Sequence, residues 1–162
     1  MQKGVSTLLG GIDGGWGPHY SGPMWSKREV VDYALQRRRT VRSLQGRTRS
    51  IARVEACDAD PMLIRAALNH GESHPVPCPV CESRRMVVLH YVFGEQLGQY
   101  SGRIKSTDEL TDMQNEYGEF EVYGVEVCVE CGWNHMIHSY LLGDGVPRKP
   151  PRRRKTVEDI YG

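Results

Sequence analysis

Two cysteine pairs, Cys78-Pro79-Val80-Cys81 and Cys128-Val129-Glu130-Cys131, restrict this chain of 162 residues more than any other feature. Two residues between paired cysteines let one tight turn aim both sulfurs at a common point, and two such turns complete a tetrahedral shell. Four of the five cysteines are used in this way. In a reducing compartment that pattern favours metal or redox chemistry over a disulfide framework. Redox dithiols use a single C-x-x-C at a helix start, and a catalytic zinc needs an open position that four thiolates do not leave. The expectation is therefore one structural Zn2+ held by Cys78, Cys81, Cys128 and Cys131, with Gly132 relaxing the backbone just after the last ligand. The 46 residues between the pairs exceed a usual ribbon loop and imply an insertion of a strand, a loop and a helix between Arg84 and Glu119.

A metal would also help a thin core. Hydrophobic residues make up 39% and aromatics 8% of the chain, leaving limited apolar area for burial. The longest aliphatic run, Met86 to Leu89, is far short of the roughly 18 residues that span a bilayer. Met1 to Gly15 lacks the continuous apolar stretch of a secretory signal, so a cytoplasmic location is expected.

The formal net charge of +1 conceals a strong segregation. Residues 1–53 carry ten basic side chains against three acids (+7), residues 54–147 five against fifteen (−10), and residues 148–162 six against two (+4). A basic front and tail either dock on the acidic middle or face a polyanion.

Read for periodicity, residues 1–24 form a Gly-rich disordered extension. Ser26 with Glu29 has the spacing of a capping box and opens an amphipathic helix over Lys27 to Leu44, with Val30, Val31, Ala34, Leu35, Val41 and Leu44 on one face. Ser50 to Ala56 reads as a second helix. A third begins at Asp60-Pro61 and stops near Gly71. Met86 to Phe93, Phe120 to Val127 and Trp133 to Leu142 read as strands, Gly94 to Arg103 as a loop, and Ser106 with Glu109 as the start of a short inserted helix. The predicted class is α+β: short N-terminal helices followed by a zinc-ribbon-like antiparallel three-stranded sheet with an inserted helix. The corresponding units are a basic helical region at 25–73, helix-turn-helix-like in outline, a zinc-ribbon domain at 74–145, and a basic Pro/Arg-rich tail at 146–162.

Arginines supply the main functional clue. Arg37, Arg38, Arg39, Arg42, Arg47, Arg49 and Arg53 in the front, and Arg152, Arg153, Arg154 and Lys155 in the tail, are candidate phosphate contacts, because the guanidinium fork matches phosphate geometry. The competing reading is a solvated helix face and a solubilising tail. The third helix has only Arg65 as a cation, which argues against sequence-specific reading of a major groove. Cys57 reads as a small buried hydrophobe. His74, His90, His135 and His138 are packing residues or donors behind the metal ligands, and Trp133 and Tyr140 suit a core better than a base-stacking platform. No nucleophile with a base at meaningful spacing, no phosphate-cradling loop and no open metal site is legible, so neither an enzyme nor a small-molecule substrate is expected.

Several ordered strings add a resemblance. They are Arg28-Glu29-Val30-Val31-Asp32-Tyr33-Ala34, Cys57-Asp58-Ala59-Asp60-Pro61, Leu63-Ile64-Arg65-Ala66-Ala67, His70-Gly71, Cys78-Pro79-Val80-Cys81, Tyr91-Val92-Phe93-Gly94-Glu95-Gln96-Leu97-Gly98 and Val127-Cys128-Val129-Glu130-Cys131-Gly132-Trp133-Asn134-His135. Between Trp25 and Gly145 the chain resembles an actinobacterial family, a domain of unknown function with a zinc-ribbon core. The resemblance implies that core but no activity or ligand, and residues 1–23 precede the family's usual beginning near Met24. Two functions remain open. One is a non-enzymatic accessory protein that binds a nucleic-acid machine (RNA polymerase or ribosome), or DNA or RNA directly. The other is a protein-protein adaptor without nucleic-acid contact.

Overall fold

Strands form where residues alternate between two environments, and β5 (Phe120–Cys128) shows the alternation most clearly: Phe120, Val122, Gly124, Glu126 and Cys128 are all buried on one face. β3 (Met86–Phe93) and β6 (Asn134–Leu142) flank it antiparallel. In this computed structural model, which describes residues 27–45 and 49–149, the sheet has six antiparallel strands rather than the expected three. β1 (Arg28–Asp32) adds to β6 at one edge, β2 (Glu72–Ser73) adds to β3 at the other, and β4 (Arg103–Lys105) also pairs with β3. Very short edge strands of this kind carry little pattern of their own.

β1 replaces the first half of the predicted helix. Arg28 pairs with Leu141, Val31 with Ser139 and Asp32 with His138, and an irregularity between Arg28 and Val31 places Glu29 at φ 48°. Adjacent β-branched Val30 and Val31 suit a strand, and pairing with β6 outweighs the helical period. Helix α1 (Ala34–Ser43) starts seven residues later than expected. The Asp32 carboxylate accepts a hydrogen bond from the Ala34 N–H at 2.7 Å, which makes Asp32 the local start signal. Ser26 lies outside the described residues.

Other boundaries follow their caps. Asp60 accepts from the N–H groups of Met62 and Leu63 and opens α3 (Pro61–His70), preceded by α2 (Arg49–Ala56). Ser106 and Glu109 form a reciprocal capping box on α4 (Thr107–Glu116). The expected loop at 94–103 contains a 3₁₀ helix, Glu95–Tyr100, that buries Leu97.

The helices cover both sides of the sheet. α3 lays Leu63, Ile64 and Ala67 against Leu89 and Val127 on one face. The opposite face has two separate clusters. At one end Leu97, Leu110 and Met113 pack on Val92, Phe120, Val122, Tyr140 and Leu142. At the other end Val41, Leu44, Ala52 and Ala56 of the α1 and α2 region roof Met86, Trp133 and the cysteines. The stretch expected as a basic helical region, 25–73, also contributes two strands to the sheet, and its α1 and α2 residues roof the cysteines.

A polar seam separates these clusters. Here β3, β5 and β6 align His90, Gly124 and His138 in one row. Gly124 is required because a Cβ at that position would lie 2.4 Å from His138 Nε2. The two imidazoles stack with centroids 5.8 Å apart, and His90 is buried with both ring nitrogens lacking a hydrogen-bond partner among the described residues.

Candidate metal centre

Register, not sequence proximity, gathers the cysteines. β3 begins five residues after Cys81, and its first residue, Met86, pairs with Cys128 at the end of β5. The long separation between the cysteine pairs is therefore a strand out, an excursion through β4 and α4, and a strand back. Both pairs finish at the same end of the sheet.

Each pair then repeats one backbone turn. In the first, Cys78 N–H donates to Ser83 O at 2.9 Å and Glu82 N–H to Cys78 O at 3.0 Å. In the second, Cys128 N–H donates to Trp133 O at 2.8 Å and Gly132 N–H to Cys128 O at 3.0 Å. The residue after the second cysteine is left-handed in both, Glu82 at φ 60° and Gly132 at φ 79°. Glycine accepts this conformation without penalty, whereas Glu82 holds it against the clash of its own Cβ. A bond from Val129 N–H to Arg85 O at 3.3 Å ties the two turns together.

The result is a cluster of four sulfurs, all within 4.8 Å of one another, that can hold a metal ion. Cys78 and Cys131 are 3.6 Å apart, as are Cys81 and Cys128. Cys78 and Cys128 are buried, while Cys81 and Cys131 are half-buried. Burial pushes the Cys78 thiol up to about 11 and raises Cys131 as well. Cys81 is also desolvated, but the Ser83 N–H and neighbouring thiols outweigh that and draw it below the ordinary thiol value. A bound cation would displace the protons that burial otherwise retains.

A fifth sulfur completes the neighbourhood. Cys57, read from the sequence as a buried filler, is half-buried and places Sγ 3.8 Å from Cys131 Sγ. Only the tertiary fold brings it there, since 74 residues separate the two.

Beside the sulfurs lies a buried acid that the sequence did not single out. Glu126 accepts hydrogen bonds at Oε1 from Arg37 Nε at 2.6 Å and from the Trp133 indole at 2.9 Å. Arg37 also lies 5.9 Å from the Trp133 ring. Arg37 is therefore engaged inside the protein and differs from its neighbours in the proposed phosphate-contact set. Arg38, Arg39, Arg42 and Arg53 are exposed, and none is ion-paired with an acid among the described residues. Arg49 belongs to α2. Arg47, Arg152, Arg153, Arg154 and Lys155 lie outside the described residues.

The histidines pack rather than join the sulfur cluster. His74 Nε2 is 4.0 Å from Glu126 Oε2, His135 stacks on Trp133, and His90 and His138 fill the seam. Trp133 and Tyr140 are buried core residues, which removes them as base-stacking surfaces. No helix among the described residues is long and apolar enough to cross a membrane.

Fold and site together define an α+β protein with an open antiparallel sheet and a four-cysteine centre at one end. The chain belongs to the family of unknown function DUF5318, whose model matches residues 24–156. It is 40% identical over 122 residues to the uncharacterized protein Rv0049 of Mycobacterium tuberculosis (strain H37Rv), covering 75% of this chain and 88% of that protein. The same identity and coverage hold for the uncharacterized protein Mb0050 of Mycobacterium bovis. Neither the family description nor these names carry an activity. No solved structure matches.

Proposed function

We propose that the chain is a non-enzymatic zinc-ribbon accessory protein of the cytoplasm that binds RNA or DNA, either directly or within a transcription or translation machine. Cys78, Cys81, Cys128 and Cys131 hold a structural Zn2+. A tetrahedron with zinc–sulfur bonds of about 2.3 Å has sulfur–sulfur edges of about 3.8 Å, and the 3.6 Å pairs fit that shell. Four thiolates suit zinc and leave no position for water, so the metal stabilises the fold.

The observation that carries the nucleic-acid reading is the state of the arginines on the roof over the centre. Arg38, Arg39, Arg42 and Arg53 face outward with no acid paired to them among the described residues. From this basic front, Arg28, on Glu119, and Arg37, on Glu126, form ion pairs with the acidic middle. Self-docking therefore accounts for those two, while Arg38, Arg39, Arg42 and Arg53 remain available to phosphate oxygens.

The test is retention on single-stranded RNA and on duplex DNA between about 50 and 200 mM salt, where phosphate binding falls steeply. Replacing Arg38, Arg39 and Arg42 with Gln is expected to reduce the logarithmic salt slope by about 3 while the fold stays intact. Binding that ignores both salt and these substitutions would sink the reading. A protein-protein adaptor is the second reading, favoured by Leu35 on α1 and Val54 on α2, which are 76% and 73% exposed. Retention of a protein partner through nuclease treatment and high salt would select it.

A further inference from the structure

The short turn that carries Cys57 is fastened to the second cysteine turn. Ala59 N–H donates to Gly132 O at 3.1 Å, and Asn134 Nδ2 donates to Asp58 Oδ1 at 2.9 Å. Gly132 leaves room for this approach, since a Cβ there would lie 3.0 Å from Cys57 O. Held this way, Cys57 Sγ is 3.8 Å from Cys131 Sγ, almost as close as the 3.6 Å contacts within the four-cysteine cluster. The pair also lies on the accessible side: Cys57 and Cys131 are half-buried, whereas Cys78 and Cys128 are buried.

We propose that Cys57 is an oxidation-sensitive thiol that joins Cys131 in a disulfide when a hydroperoxide reaches the site, removing one of the four metal ligands. Four thiolates complete a tetrahedral shell, so the fifth sulfur remains outside it and available to react. In the first step Cys57 Sγ attacks a peroxide oxygen. The O–O bond breaks, the thiol proton leaves with the departing oxygen as water, and Cys57 becomes a sulfenic acid. Cys131 Sγ then attacks Cys57 Sγ; the S–O bond breaks, the S–S bond forms, and the departing hydroxide takes a proton to give a second water. Two sulfurs lose two electrons in total, and hydrogen peroxide is reduced to two waters. The bond between Cys131 and the metal is lost, and the end of α2 becomes covalently joined to the second turn.

The loss of metal rests on the zinc reading above; the disulfide itself does not. The test uses the full chain as purified, with its zinc content measured first, exposed to hydrogen peroxide beside a chromogenic zinc chelator. Alkylated, non-reduced peptides are then mapped by mass spectrometry. Wild type is expected to give a Cys57–Cys131 linked peptide and to release zinc at least about tenfold faster than Cys57→Ser, because the serine variant lacks the reacting sulfur. Circular dichroism of Cys57→Ser and Cys57→Ala confirms that both are folded before oxidation. Equal release by wild type and the variants overturns the proposal, as does a map that shows disulfides only among Cys78, Cys81, Cys128 and Cys131. If the purified chain contains no zinc, the zinc reading fails, and the peptide map alone decides the fate of Cys57.

Discussion

The two ends of the sheet are built on different principles. At the α4 end Val92, Leu97, Leu110, Met113, Phe120, Val122, Tyr140 and Leu142 form an ordinary apolar cluster. At the cysteine end the described residues of the roof are Val41, Leu44, Ala52 and Ala56, set against Met86, Val80, Trp133 and thiols. One end is closed by area removed from water, the other by convergence of sulfurs on a point. The comparison shows how a chain with modest apolar content can complete a sheet: the poorer cluster is placed where a metal ion can tie it.

The largest expected effect separates the two ends directly. On the proposed zinc reading, treatment with a strong chelator, or replacing Cys128 with Ser, should withdraw on the order of 10 kcal/mol of binding free energy from the cysteine end. Hydrogen exchange should then rise first in α1, α2 and both cysteine turns, while amides of β5 near Phe120 retain protection longer. Simultaneous loss at both ends would show that the ends are not separable.

Phe120→Ala attacks the opposite end and is expected to cost about 3–5 kcal/mol, read from denaturant midpoints. Metal affinity should be nearly unchanged, because Phe120 pairs with Leu142 at the far end of β5 from Cys128.

Acid tests the seam between the ends. Burial holds the His138 pKa down to about 4, with the neighbouring His90 and Lys27 adding to the shift, and burial lowers His90 too. A depressed histidine is neutral when folded and takes up a proton more readily when unfolded. Its contribution is therefore complete above the unfolded value near 6.5 and is lost as pH falls toward the folded value. Between pH 6.5 and 4 the wild type should lose about 3 kcal/mol through His138, and His138→Leu should flatten that part of the profile. An unchanged profile would remove the seam from the account.

The smallest effect distinguishes the two cysteine turns from each other. Glu82 occupies the left-handed position that Gly132 fills in the second turn. Glu82→Gly should relieve its strain and raise stability by at most about 1 kcal/mol, since glycine's greater freedom in the unfolded chain offsets part of the gain.

Much of this arrangement is legible where a local signal coincides with a long-range one. Asp60 and Ser106 mark helix starts through their own hydrogen bonds, and β3 carries enough β-branched and aromatic residues to be recognised. The four cysteines declare themselves by spacing. What escaped was decided elsewhere in the chain. Val30 and Val31 fit a helix face as well as a strand, and pairing with β6 settles the matter. β2 and β4 are too short to show a period. Arg37 looks like its neighbours until Glu126 and Trp133 are placed beside it. Cys57 has no local mark of its position next to Cys131, because no spacing rule connects residues so far apart.

The pairing of Met86 with Cys128 also sets a timetable for the newborn protein. Cys128 follows Cys81 only after the ribosome has added the 46 residues between them. At about 5–20 residues per second that is roughly 2–9 s in which two sulfurs stand without the other two. During synthesis this interval exposes the first two of the four thiols to competing cations and oxidants, and it ends only when the returning strand delivers the missing pair.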